Sequence, residues 1–178
     1  MIKLLIACSF AMPGIAWADC YSAAAEKYSV NIDVLWAVAK VESSLNPSAV
    51  GIPLKDGDVA LGLMQINTIH LKQLAQYGIR RGDLFNPCVN FALGAWVLSG
   101  CIRDVGNTWR ALGCYVAGAK SKAFESQREY AAKVQRAYLA RTSRQEPGRA
   151  APALNPPRVL ALAEVRPSRK MKVWSDDE

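Results

Sequence analysis

An apolar helix that ends on an acid is hard to bury, and residues 33–47, DVLWAVAKVESSLNP, spell one. Leu35, Val38, Ala39 and Glu42 fall at i, i+3, i+4 and i+7, so Glu42 continues the apolar stripe instead of joining a polar face. Pro47 forbids further helix, which puts the acid at the helix end. A carboxylate at the end of a buried stripe carries a desolvation cost unless it has a partner or a task. The alternative is a frayed helix end with Glu42 turned to water. The stretch alone leaves both readings open.

The N-terminus narrows the compartment. Residues 1–18, MIKLLIACSFAMPGIAWA, join a lysine, an apolar run, a Pro-Gly break and an Ala-Trp-Ala ending, the parts of a secretory signal peptide. Cleavage after Ala18 leaves Asp19 at the mature end. A lipoprotein reading of Leu5-Ile6-Ala7-Cys8 leaves too short an apolar core before Cys8. No later segment approaches the roughly 18 uninterrupted apolar residues of a membrane span. Beyond the leader stand Cys20, Cys88, Cys101 and Cys114. Export to an oxidising compartment favours disulfides over a metal site, and four cysteines allow three pairings. Cys101–Cys114 would close a short loop between neighbouring helices, and Cys20–Cys88 would tie the mature N-terminus to a helix start; this pairing is the expected one. With His70 the only histidine and no Cys-x-x-Cys, a zinc site has no support.

The rest of the chain punctuates itself. Residues 20–28 are alanine-rich and helical in character. Asn31 or Asp33 caps the helix that ends near Glu42. Residues 48–60 read as a loop, with a small hairpin expected at Lys55-Asp56-Gly57-Asp58. Gly62-Leu63-Met64-Gln65-Ile66-Asn67 follows, then a helix from residue 67 or 68 to Tyr77, closed by Gly78. Asn86-Pro87 starts the most apolar helix, 88 to about 103. A short helix spans Trp109 to Val116, and a last one runs from Ser121 to about Arg141, with Phe124, Tyr130, Val134, Ala137 and Tyr138 as its stripe. From Thr142 the composition turns to proline and basic residues, a flexible extension whose apolar segment near Val159–Ala163 and Trp174 are a solvated tail or a docking peptide. The expected organisation is a leader (1–18), one all-α domain (19–141) and a basic tail (142–178). A hydrophobic fraction of 51% suffices for its core.

Several chemistries are excluded. His70 has no marked partner for nucleophilic catalysis. The glycines lack the Lys-Ser/Thr ending of a phosphate loop. The formal charge of +7 suits an anionic polymer or surface, but the basic residues are not interleaved with aromatics as in nucleic-acid readers.

What remains, in order, is Glu42-Ser43 with SSLNP, GLMQIN at 62–67, Asn86-Pro87-Cys88, Gly94-Ala95-Trp96, the Cys114-Tyr115-Val116-Ala117-Gly118 turn and the Tyr130 helix. Over residues 20–140 this resembles the lytic transglycosylase family with the lysozyme-like fold, and more narrowly its small members that accompany secretion, conjugation and pilus systems. The resemblance implies a periplasmic monomer, without cofactor or metal, that cleaves the β-1,4 bond between N-acetylmuramic acid and N-acetylglucosamine in peptidoglycan and leaves a 1,6-anhydro product. Glu42 would be the single acid/base. Ser43 would orient it, Met64 and Gln65 would line the groove, and Tyr115 would hydrogen-bond Glu42 or the sugar. An apolar site that raises the acid's pKa suits proton donation near neutral pH. Ordinary glycosidases use two carboxylates; Asp56 and Asp58 are the only loop candidates for a second, and read better as solvated. A hydrolytic muramidase of the same fold and a non-catalytic wall-binding or assembly factor are the alternatives. Two departures stand out: Val116 replaces the family's asparagine, and Ala60-Leu61 replace the acidic residue often found before GLMQIN.

Overall fold

The computed structural model describes residues 15–145. The expected leader falls mostly, and the expected tail almost wholly, outside those residues. Six α-helices and one short β-pair are present among them: α1 (Ile15–Lys27), α2 (Ile32–Ser43), β1 (Ala60–Leu61), β2 (Ile66–Asn67), α3 (Leu71–Leu74), α4 (Pro87–Val105), α5 (Arg110–Ala117) and α6 (Phe124–Gln145). The last helix overruns the expected domain end at 141, because nothing breaks it before Pro147.

Local chemistry sets most boundaries. The Asn31 side chain accepts hydrogen bonds from the Asp33 and Val34 amides at 2.9 and 3.1 Å, so it caps α2. Asn86 does the same for α4, with Pro87 as its first residue. Residues 68–77 form one continuous helical run, α3 flanked by 3-10 turns, closed by Gly78 at φ 74°. A further 3-10 turn, Arg81–Phe85, leads into α4 and carries no apolar periodicity in the sequence.

The helices close a circuit. α1 packs on α4, α4 on α5, α5 on α6, α6 on α2 and α2 on α1. Cys20–Cys88 and Cys101–Cys114 are the disulfides, one at α1–α4 and the other at α4–α5. α4 has the length and apolar composition of a membrane span, yet it is the helix that both disulfides bind into the circuit. α2 and α6 run antiparallel: Tyr130 meets Glu42 at one end, and Arg141 meets Asp33 at 2.6 Å at the other. The Arg141 guanidinium also lies 4.7 Å from the centre of the Trp36 ring.

Two expectations need correction. The β-pair is not at 55–58 but at 60–67, where Ala60 faces Asn67 and Leu61 faces Ile66. Residues 55–57 form only the turn between backbone bonds Leu54–Asp58 and Gly51–Ala60. Val50 also bridges Leu61, so the chain crosses this small β-region three times. Phe124 is not part of the buried stripe of α6; it is 61% exposed, since it opens the helix ahead of the turns that pack on α2. Tyr130, Val134 and Tyr138 are buried as expected.

The Cys101–Cys114 bond closes a loop with a sequence separation of 13. Removing it in Cys101→Ala/Cys114→Ala should lower the unfolding free energy by about 3 kcal/mol. Urea titration of the oxidised wild type against the double variant measures this.

Candidate active site

Glu42 sits in the last turn of α2, above a stripe in which Leu35, Val38 and Ala39 are wholly buried. The chain turns away at once. Ser44 and Leu45 take left-handed φ values of 56° and 68°, and their amides return to the Lys40 and Ala39 carbonyls at 3.1 and 3.3 Å. Neither residue is glycine, so the abrupt exit holds backbone strain next to the acid.

The carboxyl group is half-buried, and its Oε1 accepts a hydrogen bond from the Tyr130 hydroxyl at 2.5 Å. Burial pushes its pKa from 4.5 up to about 7, against the smaller lowering effect of the Tyr130 bond. The Tyr130 and Tyr115 hydroxyls are pushed up as well, held in their neutral form by burial and, second, by the adjacent Glu42 charge. Around neutral pH the acid is therefore divided between its two protonation states, with two un-ionised phenols beside it.

The turn at 62–65 is gripped by helices on several sides. Ser43 Oγ donates to the Leu63 carbonyl at 2.8 Å, with the Ala39 carbonyl at 3.2 Å as the second acceptor in range. Tyr115 donates to the Met64 carbonyl at 2.8 Å. The Asn90 side chain, wholly buried on α4, accepts from the Met64 amide at 2.6 Å and donates to the Leu61 and Leu84 carbonyls at 2.9 and 2.7 Å. Gly62, at φ 76°, is needed here: a Cβ would stand 2.3 Å from the Leu84 carbonyl oxygen and 2.5 Å from Asn90 Nδ2.

Ser43, Met64, Gln65 and Tyr115 are thus connected through one turn, while the Glu42 carboxyl is bonded by Tyr130, with bonds the sequence does not announce. The Ser43 hydroxyl is bonded to backbone, not to the Glu42 carboxyl. The Met64 side chain is fully buried; it fills the space that Gly94 leaves on α4, where a Cβ would come within 2.5 Å of its Cε. Its backbone, not its thioether, holds the site together. Gln65 is half-buried at φ 49°, and its amide donates to the Gly62 carbonyl at 2.9 Å and to the Ala49 carbonyl at 3.4 Å. The Tyr115 hydroxyl is on Met64, not on Glu42. Val116 is 45% exposed beside it.

Asp56 and Asp58 serve their own loop. Asp56 accepts the Asp58 amide at 3.1 Å, and Asp58 accepts the Thr68 hydroxyl at 2.6 Å. His70 is held neutral by burial, against the opposing charge of Asp58. Among the described residues there is no group of three or more His, Cys, Asp or Glu placed to hold a metal.

Two members of the site receive no role from the sequence, although the helix of one of them, Tyr130, is among the features it singles out. Tyr130 reads as one more apolar position of α6, and Asn90 is a lone amide in an otherwise apolar helix. The signal for each is a hydrogen-bonding group on a buried face, which must find a partner.

The profile of the transglycosylase SLT domain matches residues 19–137. The chain is 38% identical over 120 residues to invasion protein IagB of Salmonella typhimurium, covering 67% of this chain and 74% of that one. It is 34% identical over 129 residues to protein IpgF of Shigella flexneri, covering 72% and 84%. It is 37% identical over 123 residues to X polypeptide of Escherichia coli, covering 67% and 72%. The fold matches the X-ray structure of an inactive glutamate-to-glutamine mutant of lytic transglycosylase Slt from Pseudomonas aeruginosa, with a TM-score of 0.57 at 22% identity, over 72% of this chain and 24% of that one.

The raised pKa has a consequence for stability. With its folded value near 7 and its ordinary value at 4.5, Glu42 binds its proton more tightly in the native state. Its contribution is then neutral below about pH 4 and becomes unfavourable as pH rises through the window from 4.5 to 7. Glu42→Gln escapes that cost. The variant should exceed wild type by about 3 kcal/mol at pH 8 and match it near pH 4. Chemical denaturation at the two pH values reads the difference.

Proposed function

The chain belongs to the transglycosylase SLT domain family, and we propose that it cleaves the β-1,4 bond between N-acetylmuramic acid and N-acetylglucosamine with Glu42 as its single acid/base. The carrying observation is the carboxyl group itself: half-buried, bonded by Tyr130 alone among the described hydrogen bonds, with a pKa near 7. A group so poised holds a proton in an appreciable fraction of molecules and accepts one readily in the rest, as an acid that must become a base requires.

The steps balance on one residue. Protonated Glu42 donates to the glycosidic oxygen as the bond to the muramyl C1 breaks. The resulting carboxylate then removes the proton from the muramyl C6 hydroxyl, whose oxygen bonds C1 and closes the 1,6-anhydro ring. Glu42 ends as it began, protonated. Tyr130 occupies Oε1, which leaves the other carboxyl oxygen for transfer and donates to the carboxylate that exists between the two steps. Two-carboxylate hydrolysis needs a second acid flanking the bond. The commitment of Asp56 and Asp58 to their own loop supports the one-carboxylate course. The Slt neighbour, described as inactive with glutamate replaced by glutamine, supports giving the role to a glutamate.

Within this reading, the 62–65 turn and Tyr115 form the wall facing Glu42, and Gln65 and Ser43 act there through the backbone they hold. The domain begins at 19 and closes with the helix that runs to Gln145; it works as a monomer without a cofactor, and reaches the periplasm by the leader at 1–18, with the residues after that helix as an appendage. The relative named an invasion protein supports a place beside a secretion, conjugation or pilus machine, where a local gap in peptidoglycan lets an assembly through.

Glu42→Gln should lower release of anhydromuropeptides from purified sacculi by roughly a thousandfold, with the circular dichroism spectrum unchanged. Mass spectra of products formed in heavy-oxygen water should show no label at the muramic acid terminus. A labelled reducing end would assign hydrolysis, the muramidase reading. Unchanged turnover in the variant would take Glu42 out of the reaction, and no turnover by the wild type would favour a wall-binding factor.

A further inference from the structure

The Tyr115 hydroxyl stands next to the acid but bonds elsewhere, and what holds it elsewhere is a peptide. That hydroxyl donates to the Met64 carbonyl at 2.8 Å. The other end of the same residue, the Met64 amide, donates to Asn90 Oδ1 at 2.6 Å. The Asn90 amide nitrogen spends both hydrogens on the Leu61 and Leu84 carbonyls, at 2.9 and 2.7 Å. Only one orientation of the Asn90 amide satisfies one donor and two acceptors, so its partners also fix the side chain.

We propose that Asn90 is a positioning residue of the site: by fixing the Met64 peptide it keeps the Tyr115 hydroxyl on the Met64 carbonyl and away from the Glu42 carboxyl. The side chain suits this task and few others would. Aspartate lacks both donors, leucine lacks all three partners, and serine is too short to span them. The position is otherwise costly, a wholly buried amide in an apolar helix, and Gly62 is kept free of a Cβ to let it approach.

The titratable groups facing Glu42 are few. Tyr130 comes from α6 and is hydrogen-bonded to it; Tyr115 comes from α5 and feels its charge. The 62–65 turn carries no titratable side chain, and on α4 the titratable side chains outside the disulfides are Arg103 and Asp104, exposed near its C-terminal end. If the Met64 carbonyl moves, Tyr115 loses its acceptor, and its hydroxyl, which already feels the Glu42 charge, is free to turn to that carboxylate. A second phenol on that carboxylate would stabilise the charged form and lower its pKa. Only the consequence for turnover rests on the proposed transglycosylase reaction; the protonation state can be read without it.

The test follows the Glu42 carboxyl by carbon-13 NMR in glutamate-labelled protein, assigned by its absence in Glu42→Gln. Four proteins are titrated: wild type, Asn90→Ser, Tyr115→Phe and the double variant. Near-ultraviolet circular dichroism reports packing. In Asn90→Ser the Glu42 pKa should fall by about one unit. In Tyr115→Phe it should stay within a few tenths of wild type, and in the double variant it should return there. A folded Asn90→Ser with unchanged pKa overturns the proposal, as does an equal fall in the double variant. If Asn90→Ser does not fold, Tyr115→Phe decides alone: a rise of a unit means that Tyr115 already serves Glu42, and the proposal fails; no shift supports it. None of these readings needs peptidoglycan, so a failure of the proposed reaction is told apart from a failure here.

Discussion

Desolvation of one carboxyl group at the meeting of α2 and α6 is the constraint on which the rest of the molecule turns. Water would hold Glu42 near 4.5; the buried stripe beneath it and the packing of α6 above it move it to about 7. That shift requires α2 and α6 to stay in register along their length. The Tyr130 bond fixes one end, and the Asp33–Arg141 pair fixes the other. The Asp33 and Arg141 side chains are each only 23% exposed, and Arg141 lies over the Trp36 ring, a setting in which breaking one partner leaves the other charge poorly solvated. The ion pair thus serves register more than net stability.

The second constraint is the cost of polar backbone inside a small helical domain. The turn at 62–65 brings carbonyls and amides close to the core, and every one needs a partner. Ser43, Asn90 and Tyr115 come from three different helices to supply them. A turn fastened in this way cannot shift without moving α2, α4 or α5. The circuit of helices and its two disulfides resist such movement. Rigidity at the site is therefore a property of the whole ring of helices and not of the loop.

Much of this is legible in the sequence because local chemistry decides it. Asn31, Asn86-Pro87 and Gly78 mark helix ends by hydrogen bonding and backbone geometry that act over a few residues. Glu42 is legible because its periodicity contradicts its polarity. The expected disulfide pairing follows from which helices can be neighbours. What is not legible acts across the chain. Tyr130 meets Glu42 across 88 residues, and Tyr115 meets Met64 across 51, so the motif around Tyr115 marks it without naming its partner, and Tyr130 reads as an apolar position of its helix. Met64 misleads for a related reason: it sits in the midst of the motif, yet the bare α-carbon of Gly94 offers its side chain a place inside. The β-pair lies at 60–67 because the turn that closes it is 62–65, with Gly62 and Gln65 at positive φ and the Gln65 amide on the Gly62 carbonyl, and not the turn at 55–58.

These strands meet in how hydrogen-bond donors are shared out around the acid. Ser43, the residue after Glu42, and Tyr115, which feels its charge, both give their hydroxyl protons to carbonyls of the 62–65 turn. Had either gone to the carboxylate, it would have stabilised the charge and undone part of the work of burial. The turn is therefore more than a wall of the site. Its carbonyls draw donors away from the acid, and only the Tyr130 bond remains to oppose desolvation. A fold that needs its backbone satisfied and a carboxyl group that needs to stay under-solvated find the same solution, because the hydroxyls that complete the one are withheld from the other.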